Sequence, residues 1–257
     1  MPQILYGRHP VLEALRAGRR LRRLLLAPGL PADPKLAEIV SHAASVGVQP
    51  ESVPRDRLRD VAHTEHHQGV AAYFDGRQLG GLGELRDLLE RDRPGWPALL
   101  LCLDEVQDPQ NAGALARTAE ACRVTGVVLP RHRSSPLSPA VAKASAGAVE
   151  HLPVLQVANL RAALLVVRET GGWIVGLDAA GSERYDQVDY RGPTALVVGA
   201  EGHGLRPLIR ETCDHLVRLP MGGRVASLNA AVAGSLLLYE AARQRGFEFP
   251  AGAGGDR

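Results

Sequence analysis

Three short stretches hold the residues that could do chemistry. Asn111 and Arg117 bracket the start of an alanine-rich segment, and Gly199-Ala-Glu-Gly-His-Gly204 follows an apolar run. Leu219-Pro-Met-Gly-Gly-Arg-Val-Ala-Ser-Leu-Asn229 leads into a final small-residue helix. Glycines ahead of a helix let a ligand approach bare backbone, and a helix N-terminus favours polar or anionic groups. Ser227 is read as the cap of that helix, its hydroxyl accepting from a free N–H of the first turn. The 199–204 stretch departs from G-x-G-x-x-G spacing and carries Glu201, whose charge gains nothing in a phosphate cradle. An adenosine-type ligand held mainly by backbone suits it better. Asn111 and Arg117 are six residues apart, which on an ideal helix leaves them about 120° apart. They converge on a ligand only if Asn111 precedes the helix as its cap. The same residues also fit a plain strand-loop-helix connection, a capping asparagine and a surface arginine.

The elements that must position these residues form an α/β pattern. Residues 12–17 read as helix, 23–27 as strand, 34–46 as helix ended by Gly47, 48–53 as strand, 54–61 as a short helix and 69–74 as a closing strand. A Gly- and Pro-rich stretch with one short helix over 84–90 marks a linker at 77–97. Beyond it, apolar strands at 99–103, 126–129, 173–177, 195–198 and 215–219 alternate with helices at 111–122, 138–147, 160–169, 205–211 and 228–245. That alternation predicts a mostly parallel sheet covered on both faces. The expected domains are 1–76, a linker at 77–97, a second domain at 98–250 and a frayed tail at 251–257.

Composition narrows the classes. The chain has 257 residues, is 45% hydrophobic and carries a net charge of +2, so bulk charge does not announce a nucleic-acid binder. Arg16, Arg19, Arg20, Arg22 and Arg23 nevertheless cluster against the single acid Glu13, and arginine suits phosphate contact. A solvated helix end explains the same cluster. No apolar run is long enough to span a bilayer and no apolar leader opens the chain, so a cytoplasmic protein without membrane contact is expected. Cys102, Cys122 and Cys213 are scattered and predict free thiols rather than disulfides or a zinc site. His63, His66 and His67 invite a metal reading, but no cysteine or acid stands at suitable spacing, so no metal is expected. The first strand of the second domain is followed by Asp104-Glu-Val-Gln-Asp-Pro-Gln-Asn111 with no glycine, which counts against a dinucleotide-dependent oxidoreductase.

Asp108-Pro-Gln-Asn-Ala-Gly-Ala-Leu-Ala-Arg-Thr-Ala119, Val198-Gly-Ala-Glu-Gly-His-Gly-Leu205 and the run from Leu219-Pro-Met to Ser-Leu-Asn229 stand in one order. Together they resemble the SpoU (TrmH-like) family of RNA ribose 2′-O-methyltransferases. The resemblance implies a trefoil-knotted α/β methyltransferase domain with a mostly parallel sheet, acting as a homodimer whose last helix, alanine-rich at Ala230, Ala231 and Ala233, packs at the interface. It implies S-adenosylmethionine as cofactor, held at Gly199, Glu201, Gly202, Leu219, Met221, Ser227 and Leu228. Its active-site positions fall on Asn111, Arg117, Glu201, Ser227 and Asn229, with Glu201 and Asn111 orienting Arg117. A guanidinium hardly gives up its proton, so Arg117 is expected to act electrostatically on the developing alkoxide and on RNA phosphate.

Tyr6-Gly-Arg-His-Pro-Val-Leu-Glu-Ala-Leu15 and His67-Gln-Gly-Val70 look like the family's small N-terminal α/β substrate-binding domain, of ribosomal-protein L30e type. That extension points to the branch that methylates a guanosine ribose in 23S rRNA, with Arg8, Arg19, Arg20, Arg22 and Arg117 expected to contact RNA. The alternatives are a tRNA ribose methyltransferase and a non-catalytic RNA-binding assembly factor. The five intact active-site positions argue against the last.

Overall fold

Gly7 ends the first strand at φ 90°, a backbone that side-chain-bearing residues rarely adopt, and turns the chain directly into a helix. The structure, a computed structural model, describes residues 2–91, 96–135, 137–224 and 227–247. The tail at 251–257 lies outside them. Two compact units divide the chain: Met1–Gln78 with Pro136–His151, and Leu79–Ser135 with Leu152–Arg257.

The first unit carries β1 (Gln3–Tyr6), α1 (Arg8–Arg16), β2 (Leu21–Leu26), α2 (Pro34–Ser45), β3 (Pro50–Ser52), α3 (Arg55–Ala62) and β4 (Val70–Phe74). Its sheet runs β1-β4-β2-β3, antiparallel except for the β2–β3 pair. Asp33 caps α2 by accepting from the N–H groups of Lys35 and Leu36, and Pro34 occupies the first helical position. Leu5, Leu12, Leu15, Leu24, Ile39, Leu58 and Phe74 are fully buried. At about 1.5–3 kcal/mol for each such side chain, they supply the main drive for folding this unit.

A segment that the sequence assigned to the second domain packs here. It comprises α6 (Pro139–Ala144) and a 3₁₀ turn (Ala148–His151). Gly147, at φ 88°, lies so close to α1 that a Cβ would sit 2.6 Å from that of Glu13. Arg19 reaches Glu150 at 3.0 Å, and His151 reaches Glu13 at 2.8 Å.

The second unit is built on seven strands, every pair parallel: β5 (Leu99–Asp104), β6 (Gly126–Pro130), β7 (Val154–Val157), β8 (Trp173–Leu177), β9 (Glu183–Arg184), β10 (Thr194–Gly199) and β11 (His215–Arg218). Their order is β7-β6-β5-β10-β8-β11-β9. The chain builds outward from β5 to β7, returns to β8, and only later lays β10 between β5 and β8. Ligands of such sheets sit at the carboxyl ends where the order reverses, here at β5 and β10. Around the sheet lie α4 (Leu82–Glu90), α5 (Pro109–Ala121), α7 (Leu160–Glu169), α8 (Pro207–Arg210) and α9 (Ala230–Gln244).

Small residues decide how α9 packs. Ala231, Ala233, Gly234, Ala241 and Ala242 are buried within the unit, and a Cβ on Gly234 would lie 2.6 Å from Leu115 of α5 and 3.0 Å from Val198 of β10. Thr118 and Ser235 share a hydrogen bond at 2.8 Å across the same contact. The alanines expected at a dimer interface therefore serve close packing inside the chain, with Ala230 half-buried at the helix start. The exposed face of α9 carries Val232, Leu236 and Tyr239 instead.

Candidate active site

Because every strand of the second unit is parallel, the segments after β5, β10 and β11 all leave at one edge. The two helices that start there are capped by residues other than those expected. Asp108 caps α5, accepting from the N–H groups of Gln110 and Asn111 with Pro109 at the first position, so Asn111 lies within the first turn. Asn229 caps α9, its Oδ1 accepting from Ala231 and Val232. Ser227 is not the cap; it stands exposed two residues earlier. In each case a residue with the same capping chemistry lay within three positions, and the helix took the one whose reach matched its first N–H groups.

Freed from capping, Asn111 becomes the centre of the site. It is 6% exposed, and its Nδ2 donates to Glu201 Oε2 at 3.0 Å while its Oδ1 accepts from Asn229 Nδ2 at 2.8 Å. The N–H groups opening α9 thus donate to the Asn229 oxygen, the Asn229 amide to the Asn111 oxygen, and the Asn111 amide to a carboxylate. Each bond orients the next, and such chains polarise cooperatively. They join residues 90 and 118 positions apart in sequence. Two helix N-termini, each equivalent to roughly half a positive charge, favour a carboxylate at the end of this chain.

Glu201 itself is exposed at the tip of the turn after β10. That turn folds back tightly: Gly204 N–H donates to Ala200 O at 2.9 Å, and a Cβ on Gly199 would lie 2.3 Å from the Gly204 carbonyl. Gly202 and Gly204 take φ values of 85° and 65°. Leu219 is half-buried just beyond β11, and Met221 and Leu228 are exposed at 39% each.

Arg117 stands apart. Two turns along α5, it is exposed and makes no hydrogen bond or ion pair with another described residue, so neither Asn111 nor Glu201 orients it. It is left as an available cation.

The arginines expected to bind RNA in the first unit divide. Arg19 holds Glu150, Gln3 and the Asp75 carbonyl, Arg8 holds Asp33 at 2.7 Å, and Arg22 holds Asp75 at 2.6 Å. Arg20 is exposed and unpaired among the described residues. His67 is buried, its Nδ1 accepting from the Gly69 N–H at 3.0 Å, and burial pushes its pKa down. The cysteines are free, and burial pushes the thiols of Cys122 and Cys213 up to about 12, so neither offers a thiolate nucleophile near neutral pH.

Sequence reasoning missed two residues at this edge, Asp104 and Arg206. Asp104 ends β5 fully buried and pairs with Arg206 at 2.6 Å.

The geometry defines an open α/β sheet with a polar site at its carboxyl edge, and comparison with known proteins identifies its kind. Residues 98–239 match the SpoU rRNA methylase family, and residues 4–79 match the family's RNA 2′-O ribose methyltransferase substrate-binding domain. The chain belongs to the SpoU family. An uncharacterized tRNA/rRNA methyltransferase of Synechocystis is 40% identical over 96% of this chain, which spans 64% of that protein's length. A Bacillus subtilis protein named for the TrmH family of tRNA/rRNA methyltransferases is 40% identical over 93% of this chain and 94% of its own. Among solved structures, an AdoMet-bound rRNA methyltransferase from Sinorhizobium meliloti superposes with a TM-score of 0.77 at 27% identity, covering 94% of this chain and 87% of its own. The TrmH/SpoU tRNA-modifying enzyme of A. aeolicus covers 65% of this chain and 83% of its own, with a TM-score of 0.54 at 30% identity.

Proposed function

We propose that this protein transfers a methyl group from S-adenosylmethionine to a ribose 2′-hydroxyl of RNA, a guanosine of 23S rRNA being the substrate. The observation that carries this reading is the Glu201–Asn111–Asn229 chain, which ties all three carboxyl-edge segments together. The rRNA choice is supported by coverage. The S. meliloti rRNA enzyme matches 94% of this chain, whereas the A. aeolicus tRNA enzyme matches 65%.

The residues present fit the cofactor. Met221 and Leu228 offer exposed apolar surface for a base, and Gly202, Gly222 and Gly223 are places where a Cβ would meet nothing within 4 Å, leaving bare backbone open. Gly199, Leu219 and Ser227 flank the same segments, and Glu201 supplies a carboxylate suited to a cationic sulfonium. When bound, S-adenosylmethionine supplies an activated methyl group on that sulfonium. The chain's own work is placement and electrostatics. Asn111 and Asn229 hold the three segments in one geometry, which matters because in-line transfer is sensitive to about 1 Å of misplacement. The Arg117 guanidinium stabilises negative charge as the ribose oxygen develops it, and the hydroxyl proton leaves to water as the methyl group moves from sulfur to oxygen. Arg20, Arg22 and Arg8 bring phosphate contacts from the first unit.

The chain is proposed to act as a cytoplasmic homodimer. Val232, Leu236 and Tyr239, at i, i+4 and i+7 on α9, are 50%, 43% and 50% exposed and form an apolar stripe suited to a second copy. Among the described residues no helix is long and apolar enough to cross a membrane. The trefoil knot belongs to the same reading, supported by the late insertion of β10 between β5 and β8.

Labelled methyl transfer to separate rRNA and tRNA pools, followed by nucleoside mapping, tests the proposal. The expected product is 2′-O-methylguanosine in 23S rRNA. Label confined to tRNA would overturn the substrate, and label in neither would leave an RNA-binding protein without this activity.

A further inference from the structure

One buried charge at the active edge has no work to do in the amide chain. Asp104 closes β5 beside Gly199 in the parallel register, with its side chain fully buried. A buried carboxylate is costly unless it is paired and hydrogen-bonded. Among the described residues its hydrogen-bond partners all come from Arg206: the main-chain N–H at 2.8 Å, Nε at 2.7 Å and Nη2 at 2.6 Å. Arg206 Nη1 also lies 3.4 Å from Glu105, which holds a left-handed backbone at φ 59°. A non-glycine residue keeps such a conformation only where its surroundings impose it.

The segment between Gly199 and Arg206 is the turn that carries Glu201. One end is fixed in β10, and Leu205 is buried just before the other end at Arg206. Glu201 projects from the exposed tip, where glycines at 202 and 204 give it little packing of its own. Its aim at Asn111 therefore depends on how the two ends are held. We propose that Arg206, clamped by Asp104, is a positioning residue of the methyl-transfer site that sets the 199–206 turn so that Glu201 meets Asn111. This rests on the reading of Glu201 and Asn111 as site residues.

The test replaces the ion pair by apolar residues of similar size, Asp104→Leu with Arg206→Met, a change that is often neutral for stability. Thermal unfolding should stay cooperative while methyl transfer falls on the order of 30- to 100-fold, as misplacement of a site residue predicts. In a Glu201→Gln background the same pair should add less than about twofold, because residues acting through one another are not additive. Independently of turnover, the side-chain amide resonance of Asn111 should shift in the double variant toward its position in Glu201→Gln. Should the double variant fail to fold, Asp104→Asn carries the same two readouts. Unchanged turnover, full additivity with Glu201→Gln, or an unmoved Asn111 amide would overturn the clamp. A wild-type protein that methylates no RNA counts against the functional reading instead, and the Asn111 resonance still decides the clamp.

Discussion

In the first unit Arg8, Arg16, Arg19, Arg22 and Arg23 each end on a carboxylate, whereas Arg117, two turns along α5 in the second unit, ends on no described residue. The same residue type serves opposite purposes. Arg19 and Glu150 are 10% and 3% exposed, so their pair is part of the fold and is closed to RNA. Arg22 and Arg23 sit in exposed pairs with Asp75 and Glu51, where solvent screens the attraction and a phosphate can take the carboxylate's place. Arg20 and Arg117 are open already. A cluster of arginines is thus a mixture of structural and available cations, and partners rather than counts tell them apart.

The largest expected effect is at Arg117. Arg117→Ala should lower methyl transfer by about 10²–10³, the scale for losing one preorganised stabilising donor, while the melting temperature stays put. Arg117→Lys at near-normal turnover would break the contrast, since it would remove any special role for the guanidinium. Arg19→Ala should do the reverse, costing the first unit about 1–3 kcal/mol by removing the hydrogen-bonded partner of buried Glu150 while the Arg77 charge stays near it, visible in chemical denaturation. Asn111→Ala should lower turnover by about 10- to 100-fold through lost alignment, with the KM for RNA little changed. Arg20→Ala should weaken RNA binding only a few-fold and reduce the slope of log affinity against log salt by about one. A binding assay across salt concentrations checks it.

The smallest effect is a pH dependence confined to the first unit. Burial lowers the pKa of His67 from 6.5, so the unfolded chain takes up the proton first. Its contribution is complete above about pH 6.5 and is lost as pH falls from there toward the folded value. The melting temperature should drop more between pH 7.5 and 5.5 in the wild type than in His67→Gln.

Much of this was legible in the sequence, and the gaps have physical reasons. The apolar strands 99–103, 126–129, 173–177 and 195–198 correspond to β5, β6, β8 and β10, because fully buried parallel strands are continuous apolar runs. β1, β7 and β9 were missed, and β9 is only two residues long. The cap of α5 was readable: Pro109 favours the first helical position, which makes Asp108 the cap and moves Asn111 inside. The choice between Ser227 and Asn229 was not, since both cap well and only the path of the backbone decides. Nothing in composition sets Pro136–His151 apart from the strands on either side, yet it packs with the first unit. The Asp104–Arg206 pair spans 102 residues, beyond any local pattern.

The most direct measurement is a crystal structure with S-adenosylmethionine or its demethylated product soaked in. The expected result is a ligand whose base lies against Met221 and Leu228 and whose sulfur lies beside the Glu201 turn, with the Glu201–Asn111–Asn229 bonds intact. Density for the ligand elsewhere, or these three residues drawn apart around it, would contradict the claim that the carboxyl-edge segments form one methyl-transfer site.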